Sequence, residues 1–247
     1  MSAKAIHVAP ISAKDATALV KRVHYSGKVV QNSQLHLGVF LDGRLEGAMQ
    51  FGPSLDKRKV QGLVEGTLWN GFLELNRMAF SDRLPRNSES RALGIAMRLI
   101  RKAYPHIEWV ISFADGAQCG DGTIYRAAGF VLTSIRENST LIRLPDGTIG
   151  ANVTFSKGPH ILKTGGGAKM PEGAVKLPGY QLRYIYFLNP AARQRLTVPV
   201  LPFGKIAEMG AGMYRGKARA KDQDGENPSP LGGETPTRTL QHSDEAA

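Results

Sequence analysis

Residues 74–130 run strand, polar turn, helix, strand, short helix, and this order limits the fold more than any other feature of the chain. The apolar run ELNRMAF (74–80) stops at the polar turn SDRLPRNSES (81–90), which opens the amphipathic stretch RALGIAMRLIRKAY (91–104). Ala92, Ile95, Ala96, Leu99 and Ala103 share one face of that helix, and Pro105 ends it. A second apolar run, WVISF (109–113), leads into the Asp/Gly-rich loop ADGAQCGDG (114–122) and a short helix near 123–128. Strand alternating with helix predicts an α/β domain. A polar turn between strand and helix offers backbone N–H groups and a positive helix end to an anion.

The flanking sequence extends this pattern. Ser12 is a candidate N-cap with Asp15 three residues on, and Ala16, Leu19, Val20 and Val23 then fall on one helical face. Gly27 stops that helix, which puts His24 and Tyr25 at its carbonyl end. Residues 35–41 and 44–51 flank Asp42-Gly43, a strong two-residue hairpin signal. Further strands are expected at 130–135, 140–144, 153–155 and, rich in tyrosine, 180–188. Residues 163–177 read as a flexible basic loop, and beyond about residue 219 the composition predicts a disordered tail.

Charge divides the chain unevenly. Of the net +11, residues 157–221 carry about +10, twelve Lys and Arg standing against only Glu172 and Glu208. A polyanion partner, nucleic acid, is the expectation; a solvated basic surface is the alternative. This gives three parts: a core over 1–156, a basic extension packed on it over 157–218, and the tail over 219–247. The single cysteine, Cys119, excludes an intramolecular disulfide and a Cys-x-x-Cys zinc site. No apolar run is long enough to span a membrane, and no secretory apolar segment opens the chain.

The element order, closing on Tyr125 and Gly129-Phe130, resembles the GCN5-related N-acetyltransferase fold. The resemblance implies a central mixed sheet with flanking helices and an acetyl-CoA pyrophosphate on the loop before the long helix. Carried over, Arg86, Asn87, Ser88, Ser90 and Arg91 form the phosphate cradle and Tyr125 protonates the leaving thiolate. The cradle departs from the family pattern: it has no glycine, and it contains Glu89.

A narrower resemblance covers residues 3–217. HYSGK (24–28), NSQLHLGVF (32–40), ELNRMAFSD (74–82), LPRNSESRA (84–92), FADGAQCGDGTIYRAAGF (113–130), GGGAKMP (165–171) and GAGMYRGK (210–217) resemble the Mom DNA-modification family of bacteriophage Mu. That family implies a DNA-modifying transferase, with its catalytic core over 1–156 and its DNA contacts over 157–218, that places a carbamoylmethyl group on N6 of adenine in double-stranded DNA and so blocks host restriction. It also implies iron(II), action in the host cytoplasm, and a small carbon donor that is acetyl-CoA or a host-supplied molecule. Activity is tied by the same resemblance to His24, Tyr25, Arg77, Ser90, Asp115 and Tyr125.

Each of these residues has a plainer reading. His24 also fits a helix-capping histidine, Asp115 a turn aspartate and Tyr125 a scaffold tyrosine. Arg77, in the alternation Leu73, Leu75, Arg77, Ala79, falls on an apolar face, where it needs a bound anion or a buried carboxylate. His24, Asp115 and Tyr125 are ligand types suited to iron, and His36 would complete a two-His-one-carboxylate set. Arg183 beside Tyr184 and Tyr186 reads as a nucleic-acid platform, and Arg215 and Lys217 as a phosphate-contacting arm. A homodimer is compatible with all of this. An ordinary acetyl-CoA-dependent N-acetyltransferase of a protein or small molecule, or a non-catalytic DNA-binding protein, are the two other functional readings.

Overall fold

The computed structural model describes residues 2–24, 26–54, 56–117, 120–155, 170–214 and 217–218, the side chains of 153, 154, 214, 217 and 218 excepted. After a 3-10 turn at Ala3–Ala5 come β1 (His7–Pro10), α1 (Ala13–Val23), β2 (Leu35–Leu41), β3 (Arg44–Gly52) and α2 (Lys57–Gln61). The middle of the chain forms β4 (Phe72–Phe80), α3 (Ser88–Ala103), β5 (Trp109–Asp115), α4 (Thr123–Ala127) and β6 (Val131–Glu137). Then follow β7 (Leu141–Arg143), β8 (Ile149–Ala151), α5 (Asn152–Phe155), β9 (Val175–Lys176) and β10 (Tyr180–Phe187). A 3-10 helix at Pro190–Arg195, α6 (Gly204–Glu208), β11 (Met213–Tyr214) and β12 (Lys217–Ala218) complete the described chain.

Seven strands make one mixed sheet in the order β1-β2-β3-β4-β5-β10-β6. Helix α1 meets its cap as expected: Ser12 Oγ accepts from Asp15 N–H at 3.1 Å, a contact worth about 1 kcal/mol. The β2–β3 turn holds Asp42 at φ 49° and Gly43 at φ 74°, the pair of positive angles that a tight hairpin requires. Helix α3 buries Ala92, Leu93, Ala96, Met97 and Ile100 against the sheet residues Met49, Phe51, Leu75 and Val110. The opposite face is covered by two smaller cores. Ala16, Leu19 and Val20 of α1 pack on Ala48 and Ala79, while Val60 and Val64 pack on Phe72, Trp109 and Ile111.

Two features of β4 position the site. Its only parallel neighbour is β5, and they pair over just three residues, from Phe72↔Trp109 to Glu74↔Ile111. Beyond Glu74 the strands part into a wedge. The second feature is an extra residue: β3 partners run Gln50↔Arg77 and then Phe51↔Leu75, so Asn76 is a bulge. Leu75 and Met78 lie on the α3 face, and the bulge turns both Asn76 and Arg77 to the α1 face. The expectation that Arg77 shares a face with Leu73 and Leu75 is thereby corrected.

Other differences have local causes. The long helix begins at Ser88 rather than 91, because the polar turn supplies its first turn. Residues expected as a strand at 153–155 belong to the helical turn α5; short apolar runs are ambiguous between the two states. Strand β10 pairs antiparallel with both β5 and β6, so a division at 156 cuts through the central sheet. Its apolar residues Leu182, Tyr184 and Ile185 fill the core, which a segmentation by charge does not register. Residues 156–169 and 219–247 lie outside the described residues.

Candidate active site

On the α1 face, at the wedge, polar side chains collect where a sheet interior is normally apolar. His36 and Gln50 pair across β2 and β3, Gln50 and Arg77 across β3 and β4. Gln50 is buried; its amide nitrogen lies 3.3 Å from His36 Nδ1, and its Oε1 finds no partner among the described residues. Asn76, also buried, accepts from Ser33 Oγ at 3.0 Å. The approach is tight: a Cβ on Gly52 would sit 2.7 Å from Asn76 Oδ1 and 2.6 Å from the Asn32 carbonyl. A bare glycine at 52 is what lets the 32–33 segment lie on the strand.

Arg77 is anchored by carbonyls rather than by the carboxylate or anion expected. Its Nε donates to Lys28 O at 3.0 Å and its Nη1 to Asn76 O at 2.8 Å. That ties the segment after α1 to β4 and brings His24 into the field of the guanidinium. Burial, and then the charge of Arg77, hold the His24 pKa down to about 4 from the ordinary 6.5. The helix dipole that would favour its cation is outweighed. Ser26 N–H donates to His24 Nδ1 at 3.2 Å, and Ser26 Oγ lies 2.8 Å from the same nitrogen. Since Nδ1 accepts, neutral His24 carries its proton on Nε2.

Stability follows from that shift. The unfolded chain takes up the His24 proton before the folded one, so stability is full above about pH 6.5 and falls as pH drops toward about 4. Solvent screening limits the effect to about 1 kcal/mol. Urea unfolding across this range should show a shallower acid loss in His24→Gln than in the parent; equal slopes would contradict the assignment.

Glu74, at the apex of the wedge, is the functional candidate that sequence reasoning missed. Burial raises its pKa, opposed by hydrogen bonds from Ser54 and Asn76 and by the charge of Arg77. The available signal was Glu74 and Asn76 recurring inside an apolar run that must bury one face.

The second group of expected residues belongs to β5 and α4. Asp115 ends β5 past its last pairing with β4, and its Oδ1 accepts from Ala117 N–H at 3.0 Å. Tyr125 of α4 packs on Tyr184, ring centroids 5.2 Å apart, and on Phe130 at 5.5 Å. Asp121, which sequence reasoning passed over, is the hub of this loop. Its Oδ1 accepts from Thr123 N–H at 3.2 Å and Thr123 Oγ1 at 2.8 Å, and pairs with Arg126 at 3.4 Å. Its carbonyl accepts from the Tyr184 hydroxyl at 2.5 Å. Tyr184 is therefore core rather than a stacking platform: it is fully buried, and burial pushes its phenol pKa well above the ordinary 10. Tyr186 is half-buried against Phe130, and Arg183 lies on the opposite face of β10, donating to Thr133 Oγ1 at 2.9 Å. Tyr25 and Arg215 lie outside the described residues, and Lys217 is described only as backbone in β12.

At the start of α3, Asn87 takes a left-handed conformation (φ 69°), which supplies the turn without the glycine of the acetyltransferase pattern. Ser88 is fully buried, and its Oγ is without a partner among the described residues. Ser90 Oγ donates to Asn87 O at 3.3 Å; Arg86 and Arg91 are exposed; Glu89 sits in the first turn. This helix start carries backbone N–H groups, the Ser90 hydroxyl and two exposed arginines, a combination that suits an anion, with one opposing carboxylate. The iron set fits less well. Among the described residues no three His, Cys, Asp or Glu side chains group as one ion would require, His24, His36 and Asp115 included. His24 Nδ1 and one Asp115 oxygen are engaged by backbone N–H groups. No helix among the described residues is long and apolar enough to cross a membrane.

Comparison with known proteins gives the following. The family model described as the Mom protein family matches residues 5–205. The methylcarbamoylase Mom of Escherichia phage Mu is 40% identical over 200 residues, which cover 78% of this chain and 80% of that protein. Among solved structures, a Bacillus subtilis acetyltransferase in complex with CoA aligns over 74% of this chain and 97% of its own (9% identity, TM-score 0.40). The ribosomal-protein-S18-alanine N-acetyltransferase of Escherichia coli aligns over 74% and 94% (12% identity, TM-score 0.41).

Proposed function

Since the chain belongs to the Mom protein family, we propose from that premise that it transfers a carbamoylmethyl group to N6 of adenine in phage DNA and thereby protects it from host restriction. The observation that carries this reading is the 40% identity to the phage Mu methylcarbamoylase, sustained over four-fifths of that protein. The polar cluster at the wedge supports it, because adenine N6 is a poor nucleophile that needs its proton removed as the new bond forms.

The group is joined through its CH2 and ends in an amide. Plain acyl transfer from acetyl-CoA would instead leave a carbonyl on N6. The donor must therefore present a CH2 carbon to N6, and its anionic end is assigned to the α3 start, at Ser90 with Arg86 and Arg91. In duplex DNA the amino group is also hydrogen-bonded, so the adenine is drawn out of the stack into the wedge. His24, with its proton on Nε2, acts as a hydrogen-bond donor and not as the base. The N6 proton goes to Glu74, a carboxylate whose proton affinity is raised by burial. Arg77 supplies fixed positive charge to the donor as its leaving group departs. Asp115 of β5 and Tyr125 of α4 are assigned to the same site.

Nucleoside mass spectrometry of DNA from cells expressing the chain tests this. A deoxyadenosine heavier by one carbamoylmethyl group is the expected result. Unmodified DNA beside a folded, well-expressed protein would overturn the reading.

A further inference from the structure

Past Ile111 and Ile185, which are core, the same face of β5, β10 and β6 is no longer built like a core. Phe113 pairs with Arg183, and Arg183 with Ser134; one step along, Asp115 pairs with Gln181, and Gln181 with Arg136. Alternation puts these six side chains on one face, opposite Ala114, Leu182 and Tyr184, which enter the core. Phe113 is 44% exposed although its strand is interior to a seven-stranded sheet. Arg136 is exposed and Arg183 half-buried. The two guanidinium groups are close enough for Arg136 to help depress the Arg183 pKa, second to burial. Among the described residues, neither arginine makes an ion pair with a carboxylate.

A carboxylate brought by a partner protein would neutralise the charge and leave the ring in water. A small anion would do the same. A nucleic-acid strand satisfies both features, because its phosphates meet the arginines while a base covers the phenyl ring. Position strengthens the argument. Beyond Ile111, β5 has no β4 neighbour, so the outer flank of Phe113 opens into the wedge. Ile111 pairs with Glu74, and Phe113 follows Ile111 by two, so the ring shares its face with Glu74, Asn76 and Arg77.

We propose that this face of β5, β10 and β6 seats duplex DNA, with Phe113 stacked on the base drawn from the helix and Arg136 and Arg183 on the phosphates that flank it. The assignment rests on the reading of the chain as an adenine-modifying enzyme and adds to it the surface that receives the substrate. Tyr184 and Tyr186 take no part in the surface.

Two readouts on the full chain test it: anisotropy of a short labelled duplex against salt, and fluorescence of the same duplex with 2-aminopurine in place of adenine. Each phosphate contact contributes about 0.9 to the slope of log affinity against log salt. Arg136→Ala, at an exposed position, should lower the slope by about that amount, and Arg136→Ala/Arg183→Gln by about twice it. Phe113→Ala should keep the slope, lose binding roughly 5- to 100-fold, and abolish quenching of 2-aminopurine. Arg101→Ala, exposed on α3, should change nothing. Thermal melting of each variant reports its folding. An unchanged slope in Arg136→Ala, unchanged quenching in Phe113→Ala, or no duplex binding by the parent would overturn the proposal. The two readings fail separately. Modified nucleosides with an unchanged slope sink the surface alone, whereas altered slopes over unmodified DNA sink the proposed chemistry alone.

Discussion

Arg77→Ala is expected to lower the yield of modified adenine at least roughly 100-fold, the scale on which a fixed donor at a reacting centre counts. The argument starts from two carbonyls. Arg77 holds Lys28 O at 3.0 Å and Asn76 O at 2.8 Å, so its removal frees the segment that carries His24 and deletes the charge facing Glu74. Arg77→Lys separates the two contributions, because lysine keeps the charge but lacks the planar fork that reaches both carbonyls. Activity near the background in both variants would say that the fork matters; recovery in lysine would say that charge suffices. The measurement is modified deoxyadenosine per expressed protein by mass spectrometry, alongside a melting curve. A folded Arg77→Ala that modifies DNA normally would remove Arg77 from the site.

The largest effect on stability should come from Gly122→Ala. Gly122 sits at φ 84°, where an L side chain is strained by about 1 kcal/mol. The new Cβ would also lie 2.3 Å from Cε2 and 2.6 Å from Cζ of Tyr184. That ring cannot withdraw, being fully buried and tied by its hydroxyl to Asp121 O. We expect a loss of roughly 3 kcal/mol or more, which for a chain of this size lowers Tm by about 6–12 °C. Gly43→Ala is the control: φ is 74°, but nothing lies within 4 Å, so only the backbone strain of about 1 kcal/mol applies. Calorimetry of both proteins decides it; equal melting temperatures would contradict the packing of Gly122 on Tyr184.

Short-range signals explain what could be read in advance. The Asp42-Gly43 hairpin, the Ser12 cap and the apolar stripe of α3 are each set by residues within a few positions of one another. What escaped depends on distance in sequence. The Tyr184 hydroxyl meets a carbonyl 63 residues away, and no local pattern distinguishes that buried tyrosine from an exposed one beside an arginine. Likewise, nothing near residue 180 says that β10 slots between β5 and β6. In the site, His24 and Arg77 were singled out by resemblance, whereas their proximity is a product of folding. Glu74 and Gln50 were legible only as polar interruptions of apolar runs, and that signal needs to be weighed against solvent exposure.

The extra residue in β4 acts as a phase fault in an otherwise regular lattice. Before Asn76 the odd-numbered side chains, Leu73 and Leu75, belong to the α3 layer; after it the even-numbered ones, Met78 and Phe80, do. One strand thus serves the same core with opposite parity at its two ends. The residue at the fault is released from the rule that every second position must be apolar. Asparagine and arginine can then stand side by side facing the wedge without displacing a single core contact. The proposed chemistry is accommodated there by a miscount of one, so the scaffold on either side keeps ordinary packing.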